Sequence, residues 1–212
     1  MHDLRNPLKR ALESGNVQYG AFLGLPDNSV AEIAAGCGYD WLLIDQEHGS
    51  FELATVLRHL QVLAAYDTAP IVRSASDDPI LLKKLLDVGA QSLMVPMIDT
   101  AEQAQGLVRA VRYPPQGIRG IGTSMARAAR WNQAPGYVAT ANEEICLIAQ
   151  AETTVALSNL DAILAVDGLD GVFIGPSDLS ASMGHVGNPG HPEVVSAIDT
   201  TLQRISAAGK HA

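Results

Sequence analysis

The chain has 212 residues, 47% hydrophobic and 17% charged, which is enough apolar mass for one sizeable core, so a single domain over residues 1–212 is expected. A formal net charge of −9 and an isoelectric point near 5.0 argue against nucleic acid or an anionic membrane as the main partner, because both call for a basic face. No run approaches the ~18 apolar residues of a membrane span, and the opening MHDLRNPLKRALESG reads as an amphipathic helix rather than a signal peptide, so a cytoplasmic protein is expected.

Short apolar runs then alternate with helical patterns. VQYGAFLGL, which contains Phe22, is the first predicted strand. WLLID is the second; it ends in Asp45, is followed by Gln46, Glu47 and His48, and leads into the helical FELATVLRHLQVLAAY. PIVRS is the third and carries Arg73 at its end, before the helical DPILLKKLLDVGA. QSLMVP precedes the helical AEQAQGLVRAVRY, EICLIAQAE brings Gln150 and Glu152, and GVFIGPSD brings Ser177 and Asp178. Cys37 and Cys146 stand far apart with no CxxC or histidine spacing, so both are expected to be buried free thiols rather than a zinc site or a disulfide.

Strands that alternate with helices imply parallel pairing. Glycines in GCGYDWLLID, DVGAQSLMVP and VDGLDGVFIGP end a helix shortly before each strand, the short αβ turn of a wound barrel. A TIM barrel uses eight such units in ~250 residues; six are visible, and a seventh strand is expected to begin at RISAAGKHA. An open doubly wound sheet also accommodates six strands, but FLGLPDNS is not the GxGxxG turn that follows the first strand of such folds. The expected fold is a TIM (β/α)8 barrel with strands seven and eight absent from these residues.

Chemistry in a barrel gathers at the C-terminal ends of the strands. Glu152 and Asp178, from different strands, suit one divalent ion, with water and substrate completing the octahedral shell that Mg²⁺ prefers; the alternative for each is an ordinary acid at a helix N-terminus. IGPSDLS places a helix start just after a strand, where backbone amides bind carboxylate or phosphate. Arg73 would stabilise an oxyanion on the same ligand, or else pair structurally with Asp45. Schiff-base aldolases need a lysine inside the barrel. Lys9, Lys83 and Lys84 fall on helical patterns and Lys210 where a strand would begin, which leaves electrophilic work to a metal. Arg119, Arg127 and Arg130 either attract the distal acid of a substrate or form local ion pairs between subunits. His2, His59, His185, His191 and His211 are expected at the surface or as caps.

Nearly end to end, the chain resembles the HpcH/HpaI class II pyruvate aldolases. The resemblance is carried by GYDWLLIDQEHGSFE, PIVRSASDDPILLKKLLDVGAQSLMVPMIDTAEQA, VRYPPQGIRGIGTSMARAARW, QAETTVALSNLDAILAVDGLDGVFIGPSDLSASMG and GNPGHPEV, in order and with little change in spacing. It implies cleavage of a 4-hydroxy-2-oxo acid to pyruvate and an aldehyde, and the reverse addition, through a pyruvate enolate on a divalent metal, Mg²⁺ or Mn²⁺ first and Co²⁺ or Zn²⁺ as alternatives. It further implies that His48 is the acid/base, that Arg73 stabilises the enolate, and that Glu152 and Asp178 hold the ion. By the same resemblance Gln150 and the Ser177 backbone contact substrate, and Asp87 raises the basicity of the histidine. Asp87 ends a helix ahead of the fourth strand, at the opposite rim, so that role needs a neighbouring subunit and the family's homohexamer, a dimer of trimers. Its alternative is a solvated helix-end acid. Asp45 is expected to orient His48 or Arg73, or to form a salt bridge at the core rim, and Glu47 to orient ligands or waters.

Two departures stand out. Phe22 occupies the place where relatives carry a tryptophan at the aldehyde end of the pocket, and the family continues beyond GK through strands seven and eight to a helix exchanged between subunits. Alternatives to the aldolase are oxaloacetate decarboxylation or a related lyase reaction at the same residues, and a non-catalytic protein that binds an oxoacid or a metal.

Overall fold

The structure is a computed structural model describing residues 4–212; His2 lies outside the described residues. Its strands are β1 (Gly20–Leu23), β2 (Trp41–Asp45), β3 (Ala69–Arg73), β4 (Ser92–Val95), β5 (Cys146–Ala151) and β6 (Gly171–Ile174), and their order in the sheet is the order of the chain. That order follows from repeated strand–helix–strand units, each of which lays its new strand beside the last. Two compact units are present, Met1–Leu93 with Arg109–Cys146, and Met94–Val108 with Leu147–Ala212. Among the described residues no helix is long and apolar enough to cross a membrane.

The first unit holds β1, β2 and β3 in parallel, with α1 (Pro7–Glu13), α2 (Asn28–Ala35), α3 (Leu53–Leu63) and α4 (Pro79–Asp87). Leu42, Leu43 and Ile44 of β2 are all fully buried, as an unbroken apolar run requires when both faces of a parallel strand are covered. The register sets Phe22 against Leu43 and Asp45 against Arg73, so the last residues of β2 and β3 are neighbours by construction. In α4 the Asp78 carboxylate caps the amide of Ile80 at 2.9 Å, Pro79 opens the first turn, and Leu82, Leu85 and Leu86 form the buried stripe. Gly89 then turns the chain at φ +107°, where a Cβ would lie 2.4 Å from Arg127 Nη1. At the N-terminus α1 forms as expected and is docked by Asn6, whose buried amide donates to the carbonyls of Gln91 and Glu144 and to the Ser92 hydroxyl.

Three expectations change in this unit. His59 is not at the surface; the inward stripe of α3 runs through Val56, His59, Leu60 and Leu63, and the imidazole is fully buried, edge-on to Phe51 at 5.0 Å with Nδ1 3.1 Å from the Thr55 carbonyl. Cys37 is exposed, just after α2, whereas Cys146 is buried as expected. Only four residues of VQYGAFLGL pair as β1, because the chain just before it is held from the side, with Tyr19 N–H on the Asp40 carboxylate at 2.7 Å.

β4 and α5 (Ala101–Val111) each run between the two units, and α6 (Tyr137–Thr140) lies in the first. The second unit pairs β5 with β6 in parallel, Ala151 beside Ile174, and carries α7 (Thr154–Ser158), α8 (Leu160–Leu164), α9 (Pro176–Ser182) and α10 (Pro192–Ala207). Its core joins Leu147, Ala149, Val172 and Ile174 of the strands to Leu160, Ile163, Leu179, Val194 and Ile205 of the helices. β6 stops at Ile174 rather than running through GPSD, since Pro176 has no N–H for a ladder and its fixed φ suits the first turn of α9. After α10, His211 pairs in parallel with Gly171, accepting from Val172 N–H at 2.9 Å and donating to the Asp170 carbonyl at 3.1 Å. His211, expected at the surface, is therefore a half-buried residue on the first rung of the strand anticipated at RISAAGKHA.

Candidate active site

At the ends of β2 and β3 the register brings a carboxylate and a guanidinium together. Arg73 donates from Nε and Nη2 to the two oxygens of Asp45, at 2.9 and 2.7 Å, and its Nη1 lies 3.1 Å from Glu47 Oε2. This is the fork geometry that makes an arginine–carboxylate pair specific, and both partners are buried. Burial pushes the Asp45 carboxyl up, but the Arg73 guanidinium and the amides of His48 and Glu47 outweigh it and hold it below the ordinary carboxylate range. Those amides reach Asp45 Oδ1 at 3.3 and 3.1 Å, so one carboxylate fixes Arg73 and also the turn that carries His48. The expected alternatives for Asp45 coexist: it is a rim salt bridge, and it orients both neighbours. Glu47 is a partner of Arg73. The His48 side chain is 66% exposed, with Nε2 3.8 Å from Glu47 Oε2. Phe22, half out of the core, places its ring 5.2 Å from the Arg73 guanidinium carbon and packs edge-on against Trp41 at 6.2 Å.

In the second unit Glu152 stands one residue past β5. It is 1% exposed, and its carboxylate accepts the Met97 N–H at 2.8 Å on Oε1 and the Gln150 side-chain amide on Oε2. Gly175, just past the paired end of β6, is what admits it, since a Cβ there would sit 2.3 Å from Glu152 Oε2. The helix-cap alternative for Glu152 fails, because Thr153 caps α7 by accepting from Ala156 N–H at 2.9 Å. Asp178 lies exposed in the first turn of α9, where the helix dipole favours an acid. Ser177 is also exposed there and its carbonyl accepts from the Ser180 hydroxyl; Gln150 is buried, with its amide on Glu152.

Met97 was not legible in the sequence. It adopts φ +58°, a left-handed conformation uncommon for a bulky residue, and so turns its N–H to Glu152. The turn is held by Asp99, which accepts from the Thr153 hydroxyl and whose carbonyl accepts from Asn159 at 2.8 Å. Gly175 had a signal, a glycine between strand and helix, but its partner was not deducible.

The donor set fits a hard divalent cation. Glu152 and Asp178 offer carboxylate oxygens, the donor type that Mg²⁺ and Mn²⁺ take. A carboxylate carried to 1% exposure is costly unless hydrogen bonds and positive charge surround it, and the space kept open by Gly175 is where its oxygen lies.

Comparison with known proteins identifies the family. The profile of the HpcH/HpaI aldolase/citrate lyase family matches residues 18–212. The chain belongs to that family. A hydroxypyruvate/pyruvate aldolase of Pseudomonas aeruginosa is 56% identical over 207 residues, 98% of this chain and 77% of that protein. A 4-hydroxy-2-oxo-heptane-1,7-dioate aldolase of Klebsiella pneumoniae subsp. pneumoniae is 55% identical over 98% of this chain and 78% of its own length. The solved structure of an HpcH/HpaI aldolase/citrate lyase family protein from Burkholderia cenocepacia J2315 superposes with a TM-score of 0.93 at 38% identity, covering 97% of this chain and 82% of that one.

Asp87, which the HpcH/HpaI resemblance singled out, and the arginines of the basic stretch lie in the first unit. Asp87, at the end of α4, is not merely solvated; its Oδ1 lies 3.4 Å from Arg119 Nη2. Arg119 is itself fully buried, 4.4 Å over the Tyr113 ring and 6.0 Å from that of Tyr137, whose hydroxyl accepts from it at 3.1 Å. Arg127 donates to the carbonyls of Val88 and Leu60, at 3.0 and 3.2 Å. Both arginines thus have partners within one chain.

Proposed function

We propose that this chain cleaves a 4-hydroxy-2-oxo acid into pyruvate and an aldehyde, and runs the reverse addition, with Glu152 and Asp178 as ligands for Mg²⁺ or Mn²⁺. The observation that carries the reading is the buried carboxylate of Glu152, seated against Gly175 and aimed by Met97 and Gln150, in a chain 56% identical to a named pyruvate aldolase. A divalent ion held there supplies Lewis acidity toward the 2-oxo acid and makes its methyl protons removable near neutral pH. In the addition His48 takes a proton from the pyruvate methyl group and gives it to the alkoxide formed as the enolate carbon bonds to the aldehyde; in the cleavage it takes the C4 hydroxyl proton as the C3–C4 bond breaks and returns it to the enolate carbon. Arg73 stabilises negative charge on the enolate oxygen, its guanidinium plane fixed beforehand by Asp45 and Glu47, so no reorganisation is required as charge develops. Asp45 acts through Arg73 and through the backbone of His48. Phe22, smaller than tryptophan, leaves more room at the aldehyde end, while Gln150 and the Ser177 backbone orient the oxoacid. A complete (β/α)8 barrel, a homohexamer and an action of Asp87 across a subunit boundary belong to the same reading and rest on family membership.

The test is exchange of the pyruvate methyl protons in D₂O, followed by NMR, first with EDTA-stripped protein and then with Mg²⁺ or Mn²⁺ restored. Metal-dependent exchange is expected without any aldehyde. Its absence from folded, metal-loaded protein overturns the aldolase reading and leaves an oxoacid-binding protein.

A further inference from the structure

The turn between α9 and α10 holds a second cluster of ligating side chains, apart from Glu152 and Asp178. One ligand atom each of His185, His191 and Glu193 lies within 4.8 Å of the other two. His185 Nε2 is 3.0 Å from Glu193 Oε2, close to the spacing of adjacent ligands around one ion with bonds of about 2.1 Å. The imidazoles are stacked, with centroids 3.6 Å apart and planes 15° from parallel, so both rings already lie side by side at this turn. His191 is the N-cap of α10, and its Nδ1 accepts the Glu193 N–H, so that nitrogen already carries a lone pair rather than a proton. The bond it would give up is long, 3.3 Å, and water reaches Glu193, whose side chain is 71% exposed. The backbone beneath is tied down, with His185 N–H on the Ser180 carbonyl at 2.7 Å and His191 N–H on that of Asn188 at 3.1 Å.

We propose that His185, His191 and Glu193 form a second metal site, for a borderline divalent transition ion such as Zn²⁺, which clips the turn after α9 to the first turn of α10. Two imidazoles and one carboxylate are the donors that Zn²⁺, Co²⁺ and Ni²⁺ take, whereas Mg²⁺ prefers oxygen alone, so the two sites differ in kind. Glu193 offsets the ion's charge at a helix end that otherwise repels cations.

Co²⁺ is the probe, titrated into EDTA-stripped protein reloaded with excess Mg²⁺ and followed by its visible absorption. The native chain should take up about one equivalent more than His185→Gln or His191→Asn. Asparagine is a favoured N-cap, so the second variant removes the imidazole and keeps the helix start, which circular dichroism verifies. Glu152→Gln should retain this uptake, which separates the site from the carboxylate pair. Zn²⁺ should raise the Tm of the native chain and leave that of His191→Asn unchanged. Equal uptake by the native chain and both histidine variants, or loss of the extra equivalent in Glu152→Gln, overturns the proposal.

Discussion

Asp45 and Glu152 are both buried carboxylates at the end of a core strand, yet they are held in different ways. Asp45 is held by a guanidinium that grips both its oxygens, and by two amides. Glu152 accepts from a backbone N–H and a side-chain amide, and a glycine admits it. The difference shows how one residue type serves two ends. Fork-paired with Arg73, Asp45 is a strut for the rim; Glu152 is seated in space that Gly175 leaves, and in the proposed reaction it would hold the ion.

The largest effect should come from the ligand end of that comparison. Glu152→Gln keeps the shape and removes the charge, and turnover should fall by about 10³-fold or more, with Mn²⁺ binding by EPR lost in parallel. Retained Mn²⁺ affinity would show that Glu152 is a strut like Asp45. His48→Ala should lower turnover by about 10²- to 10³-fold while Mn²⁺ and pyruvate still bind in calorimetry; loss of binding instead would make His48 a ligand. Arg73→Met leaves Asp45 and Glu47 buried without their guanidinium and should destabilise the fold by about 3 kcal/mol, read from chemical denaturation. The Asp45 carboxyl lies below its ordinary value when folded, so its contribution is complete above about pH 4 and is lost as pH falls through the lowered value. The native chain should therefore lose stability at that end and Arg73→Met should lose less. A smaller change on Mn²⁺ is Gly175→Ala, whose Cβ forces the buried Glu152 side chain aside and should weaken Mn²⁺ binding by about tenfold while lowering Tm.

Much of this was legible from residue order. WLLID is a strand because its apolar run is unbroken, and the glycines of GCGYD, DVGAQ and VDGLDG end in left-handed turns, at φ +84°, +107° and +90° for Gly38, Gly89 and Gly168. Asp45, Arg73 and Glu152 were legible because a polar residue closing a core strand has no packing reason to be there. His59 was misread because a polar residue on a helix was taken for a surface one, while the stripe of α3 runs through it. The local ion pair allowed for Arg119 is present, with Asp87, but its burial was not legible, because a guanidinium over tyrosine rings is stable in the interior and its sequence neighbours do not announce those rings.

Sequence alone determined the alternation of strand and helix, the parallel pairing, and the residues at the strand ends, since periodicity, glycine stops and caps act over a few neighbours. Only the tertiary structure decided that Asp45 grips Arg73, that Met97 turns its amide to Glu152, and that Gly175 makes room for that carboxylate. Each of these joins residues 23 to 55 apart in the chain, and the Met97 contact also depends on a backbone angle that no side chain dictates.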